Sequence, residues 1–154
     1  MSSKAKEEKG GELMKISARN ILAGTVTKVI KGAVNSEIDL TLKGGDKVAA
    51  IITNQSVEHL GLKEGSAAHA ILKASWVIIG TDLDPKKISA RNVLRGKIAR
   101  IHQGAVNDEV TLTLGGGAEV TAILTRESTQ ALGLKQGGDA SAAFKANSVI
   151  LAVD

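Results

Sequence analysis

The chain has 154 residues, 43% of them hydrophobic and 23% charged, an ordinary globular balance that excludes wholesale disorder and leaves room for one medium domain or two small ones. Only Trp76 and Phe144 are aromatic and cysteine is absent, which excludes disulfides, thiolate metal sites and cysteine nucleophiles and leaves the core to Val, Ile, Leu and Ala. A formal net charge of +4 with a pI near 9.4 favours anionic partners but falls short of the dense basic faces of nucleic-acid binders, so small anions suit the chain as well as DNA does.

Residues 1–14 are charged throughout and lack the apolar core of a signal peptide, and no later stretch approaches membrane-spanning length. They are expected to form a disordered extension on a protein that stays in the cytoplasm. At Lys15 an internal repeat begins. KISARNIL at Lys15 to Leu22 recurs as KISARNVL at Lys87 to Leu94, and the same offset, without a gap, carries Gly24 onto Gly96 and Gly32-Ala33-Val34-Asn35 onto Gly104-Ala105-Val106-Asn107. It carries Glu37 onto Glu109, Leu60-Gly61-Leu62-Lys63 onto Leu132-Gly133-Leu134-Lys135, Lys73-Ala74 onto Lys145-Ala146, and Asp82 onto Asp154. Roughly half of the aligned positions are identical, which marks a duplicated domain. The expected units are residues 15–82 and 87–154, joined by a linker over 83–86 that holds Pro85, the only proline.

Within a repeat the period is two. A strand fits Asn20 to Ile30; Ile38, Leu40 and Leu42 alternate with polar neighbours up to the turn at Gly44-Gly45, and Val48, Ala50 and Ile52 resume the alternation as the second arm of a hairpin. Thr53-Asn54-Gln55-Ser56 supplies capping side chains for one brief helix that Gly61 stops. A last strand fits Ala68 to Ile79. The second copy repeats the scheme with Val110, Leu112 and Leu114, a turn at Gly115 to Gly117, then Val120, Ala122 and Leu124. Short strands with one short helix per repeat predict an all-β chain of two tandem OB-like barrels.

Catalytic constellations are missing from this pattern. His59, His69 and His102 have no histidine at the matching position of the other copy, so a site inherited by both would not use them. No metal-ligand spacing, GxSxG elbow or P-loop occurs. What both copies keep is Ser-Ala-Arg-Asn at the start, a threonine before the short helix and Lys-Ala near the end. Each kept polar side chain can donate a hydrogen bond, no carboxylate lies within these segments, and such a collection suits a tetrahedral dianion, with a helix N-terminus adding to the attraction. Each residue also has a plain structural reading: Arg19 and Lys73 as surface charges, Ser17 as a strand-edge hydroxyl, Thr53 as an N-cap.

The SARN start, the GAVN-x-E segment, the LGL-K-x-G turn and the closing Lys-Ala segment together resemble the molybdate-binding Mop domain, also called the molybdenum-pterin-binding domain, over nearly everything from Lys15 to Asp154. The resemblance implies a tandem Mop protein: two OB-like barrels, a homotrimer of six Mop domains, and oxyanion sites at interfaces between domains. It implies molybdate or tungstate as ligand, no catalytic cofactor, no bare metal cation and no enzymatic turnover. By position, the residues it assigns to the oxyanion are Ser17, Arg19, Thr53, Lys73 and Ala74 in the first copy and Ser89, Arg91, Thr125, Lys145 and Ala146 in the second. Asn20 and Asn92 join them through backbone contact or by orienting the strand. The copies diverge nearby, with Ser75 becoming Asn147, Trp76 becoming Ser148 and Asn54-Gln55 becoming Arg126-Glu127, which sets equal affinity at the two sites in doubt.

Two alternatives stand beside intracellular oxyanion storage. An OB-type nucleic-acid binder fits the pI, but two aromatic residues cannot furnish the stacking platforms that single strands need, so no nucleic-acid partner is expected, and no membrane. The other is a regulatory or pterin-cofactor-binding module of a larger molybdenum system.

Overall fold

The computed structural model describes residues 15–154; the disorder expected over residues 1–14 lies outside them. Each repeat opens with a long strand, β1 (Asn20–Lys31) and later β6 (Asn92–Gln103). A hairpin follows, β2 (Asn35–Leu42) with β3 (Lys47–Thr53), and β7 (Asn107–Thr113) with β8 (Glu119–Thr125). Then come a short helix, α1 (Asn54–Leu60) or α2 (Arg126–Ala131), and a strand, β4 (Ala67–Leu72) or β9 (Asp139–Phe144). A 3-10 turn and a three-residue strand close each repeat: Ala74–Trp76 with β5 (Ile78–Gly80), and Ala146–Ser148 with β10 (Ile150–Ala152). No helix among the described residues is long and apolar enough to cross a membrane.

The hairpins follow the two-residue period that predicts them. Ile38 lies opposite Ala50 and Leu40 opposite Val48, all four at most 1% exposed, so one face of the ribbon is buried and the register is fixed by it. The long strands bend because they serve two neighbours. β1 pairs with β4 over Asn20–Thr25 and with β2 over Gly24–Lys31, with a bulge between Val26 and Lys28; β6 has its bulge between Ile98 and Arg100. Gly24 sits at that corner, where a Cβ would stand 2.8 Å from the Thr41 carbonyl oxygen. Thr53 and Thr125 cap the helices as expected, each hydroxyl accepting from the backbone N–H three residues on, and Gly61 ends α1 in the left-handed conformation.

The segment Ala68 to Ile79, expected as one strand, is two. A 3-10 turn at Ala74–Trp76 breaks it, and the part beyond the turn leaves its own repeat. β5 pairs with β9 of the second repeat and β10 pairs with β4 of the first, giving two five-stranded sheets in the orders β10-β4-β1-β2-β3 and β5-β9-β6-β7-β8. Each OB-like barrel is therefore completed by the last strand of the other repeat. The exchanged segments are buried: Val77, Ile79, Val149 and Leu151 are all at most 7% exposed and belong to one hydrophobic cluster that runs through both barrels. Each such side chain contributes on the order of 1.5–3 kcal/mol. Two thin aliphatic cores thus become one.

The exchange brings the two hairpin turns together. Gly44 and Gly116, which the repeat aligns, abut so closely that a Cβ on Gly44 would lie 2.5 Å from the Gly116 Cα. Equivalent residues in contact place the pseudo-two-fold axis relating the repeats between these turns.

Candidate functional site

The SARN and Lys-Ala segments that both repeats keep gather at one end of each sheet, whereas Thr53 and Thr125 lie at the other end of their own sheets, opposite Asn35 and Asn107. Asn20, the first residue of β1, lies opposite Leu72, the last of β4, so the SARN segment before the one and Lys73-Ala74 after the other emerge side by side. Asn92 and Phe144 place Ser89, Arg91, Lys145 and Ala146 likewise. Ser17, Arg19, Lys73, Ser89, Arg91 and Lys145 are exposed, whereas Ala74 and Ala146 are buried in the 3-10 turns.

These segments dock on the opposite repeat. Asn20 is 1% exposed; its side-chain amide donates to the Thr121 carbonyl at 2.8 Å and its side-chain oxygen accepts from the Thr121 N–H at 2.7 Å. Asn92 does the same to Ala49, at 2.9 and 2.7 Å, and Ala49 and Thr121 are themselves repeat equivalents. β3 and β8 are the edges of their sheets, so the asparagines satisfy edge groups that no strand pairs. Their side chains are fully engaged there, which leaves them the part of orienting the SARN segment. The turn holding Ala74 packs on β8 and the turn holding Ala146 on β3. The first repeat's Arg19, Asn20 and Ala74 therefore sit along the strand that ends at Thr125, while Thr53 ends the strand along which Arg91, Asn92 and Ala146 sit. The sequence groups these residues by copy; strand exchange crosses them.

The arginines meet carboxylates that the segments themselves lack. Arg19 makes a two-pronged pair with Glu109, at 2.6 and 3.0 Å, and Arg91 with Glu37, at 2.8 and 2.5 Å. Hydrogen bonding to the guanidinium holds both glutamates below the usual carboxylate range against the opposing effect of burial, and the arginine's charge adds a smaller lowering effect; the same contacts raise the arginines. In this arrangement two N–H groups of each fork face a glutamate, and the remaining donors of the guanidinium are left for another anion. Glu37 and Glu109 were legible as a repeated pair but not as the arginines' partners.

At the helix starts, Thr53 Oγ1 donates to Ser56 Oγ at 2.9 Å and Thr125 Oγ1 to Ser128 Oγ at 2.8 Å. Ser56, expected only as a capping side chain, and Ser128 thus form exposed hydroxyl pairs with the two threonines; the recurrence of Thr-x-x-Ser was the available signal. The GAVN turns anchor the same helices, with Val34 and Val106 carbonyls accepting from the N–H groups of Asn54 and Arg126 at 2.8 and 2.9 Å. Lys73 extends its ammonium to 5.3 Å from the centroid of the Trp76 ring. Among the described residues no group of three or more His, Asp or Glu side chains is placed to hold a metal ion.

The TOBE domain family matches residues 16–79 and 88–151. The molybdenum-pterin-binding protein MopA of Rhodobacter capsulatus is 45% identical over 140 residues, covering 91% of this chain and 53% of that protein. The molybdenum transport protein ModE of Azotobacter vinelandii is 46% identical, covering 91% of this chain and 52% of that protein. The chain thus spans about half the length of the curated relatives it matches. A crystal structure of the cytoplasmic molybdate-binding protein ModG with molybdate bound superposes with a TM-score of 0.86 at 50% identity, covering 92% of this chain and 100% of that one.

Proposed function

This chain belongs to the TOBE domain family, carrying two tandem copies of it, and on that footing we propose that it captures molybdate or tungstate reversibly, as an intracellular store. No bond is made or broken in this reading. The observation that carries it is the convergence, at one sheet end, of Arg19 with the Lys73-Ala74 turn, and of Arg91 with the Lys145-Ala146 turn, each against a strand of the other repeat that ends in a threonine-capped helix. In this reading donors from the two repeats together hold one oxyanion. The units of residues 15–82 and 87–154 act as a pair in this scheme, since each supplies the edge strand on which the other's donors rest.

Ser17, Arg19, Thr53, Lys73 and Ala74, with Ser89, Arg91, Thr125, Lys145 and Ala146, supply hydrogen bonds to the oxyanion oxygens, and Asn20 and Asn92 hold the SARN segments in place. Glu37 and Glu109 aim the arginine forks while limiting their charge, so that weakly held anions are shed. Three chains assemble as a homotrimer of six domains, and sites complete themselves where domains meet. The likeness to ModG, which binds molybdate and which this chain covers entirely, supports the ligand. Because the chain matches about half of ModE and MopA, a second role as the sensing part of a molybdenum regulator draws on the same site. Native mass spectrometry of the particle, counting chains and bound oxyanions together, tests the proposal; particles that carry no molybdate or tungstate at saturating concentration would overturn it.

A further inference from the structure

We infer that Trp76 makes the two lysines of this chain unequal anion ligands, so that the oxyanion store fills in two steps; this rests on the oxyanion reading above. Lys73 and Lys145 stand at equivalent positions on nearly identical backbone, with φ and ψ of −71° and 137° for the one and −78° and 143° for the other. The turns they open are the same: N–H to C=O distances are 3.0 and 3.3 Å in Lys73 to Val77 and again 3.0 and 3.3 Å in Lys145 to Val149. Ala74 and Ala146 are each 3% exposed. Two side chains of the turn differ, Ser75 and Trp76 in one and Asn147 and Ser148 in the other, and of these four only Trp76 presents a ring to the lysine.

The ring is not needed to build the turn, because Ser148 occupies its place in an identical one, and at 43% exposed it is not core. It does touch the lysine. Lys73 Nζ lies 5.3 Å from the ring centroid, inside the range over which an ammonium is attracted to an indole face. Contact with the ring uses one side of the ammonium and leaves N–H groups on the other side to donate. The ring therefore restricts the flexible side chain before an anion arrives, so less ordering remains to oppose binding, and it keeps water from one flank of the charge. Lys145 has no such support and must be ordered by the anion itself. The site containing Lys73 fills first, and the site containing Lys145 extends capture to higher oxyanion concentration.

Trp76 is the only tryptophan in a chain without tyrosine, so indole emission reports on this turn alone. The experiment titrates the intact protein with molybdate, following emission and heat in parallel for the wild type and heat alone for Trp76→Ser and Ser148→Trp. The emission change is expected to finish before the calorimetric titration saturates. Trp76→Ser should weaken the early class about two- to fivefold, the ratio that an exposed cation–π contact corresponds to, and Ser148→Trp should tighten the late class in the same measure. Emission that tracks the heat throughout, with all three isotherms superimposable and binding undiminished, overturns this inference alone. No heat in any of the three sinks the oxyanion reading, and this inference with it.

Discussion

The side chain of Asn20 forms both hydrogen bonds of a strand neighbour with the backbone of Thr121, in the other repeat. With Asn92 on Ala49, it makes two buried clamps that hold each donor segment to the opposite barrel.

Removing a clamp leaves an N–H and a C=O of an edge strand without partners in a buried place. Asn20→Ala and Asn92→Ala are each expected to destabilise the fold by about 1–3 kcal/mol for each group left unpaired, measured as the loss of unfolding free energy in urea. A cost near zero for both would mean that water replaces the amide without penalty.

Gly44 and Gly45 share a left-handed backbone, with φ of 95° and 99°, but only Gly44 faces a neighbour, while a Cβ at Gly45 meets nothing within 4 Å. Gly45→Ala should cost about 1–2 kcal/mol for backbone conformation alone. Gly44→Ala should cost clearly more, since it also forces the two turns apart. Equal thermal midpoints for the two variants would contradict contact between the turns.

Acid should loosen the junction between the repeats. Glu37 and Glu109 are held below the usual carboxylate range by Arg91 and Arg19. The stabilisation from a depressed folded value is fully present above the unfolded value, about 4.3 for glutamate, and is lost as pH falls through the folded one. The double variant Glu37→Gln, Glu109→Gln should therefore show a smaller fall in thermal midpoint than the wild type between neutral pH and pH values below that range. Parallel falls in both proteins would remove these pairs from the acid response.

Selectivity follows from the donors. Phosphate is partly protonated at neutral pH and presents a donor to donors, so it should compete poorly with molybdate. Sulfate carries no proton but is smaller, and in a rigid site it leaves some donors unpaired at about 1–3 kcal/mol each; tungstate, close to molybdate in size, should compete almost equally. Displacement of bound molybdate at matched ionic strength checks the order, and sulfate matching tungstate would reduce the site to a generic anion patch.

Much of this was legible in the residues. The alternation of Ile38, Leu40 and Leu42 with the Gly44-Gly45 turn specified the hairpin, and Thr53 and Gly61 bounded the helix at the observed ends. The strand exchange was not legible, because Val77 to Ile79 is equally apolar whichever barrel receives it. The duplication itself hides the arginine pairs: Glu37 and Glu109 occupy matching positions, so Arg19 with Glu37 and Arg19 with Glu109 look alike in sequence, and only the three-dimensional crossing decides between them. Asn20 and Asn92 read as part of a polar donor motif because the unpaired edges they cover lie in the opposite repeat.

Calorimetric titration of molybdate into the wild type and into Arg19→Ala, Lys73→Ala, Arg91→Ala and Lys145→Ala tests the oxyanion reading most directly. Each replacement is expected to weaken its own site by about 2–5 kcal/mol, since it strips a charged partner from a held dianion, while the site built on the other arginine and lysine keeps its affinity. Unchanged affinity and stoichiometry in all four would return these residues to the status of surface charges and contradict the account.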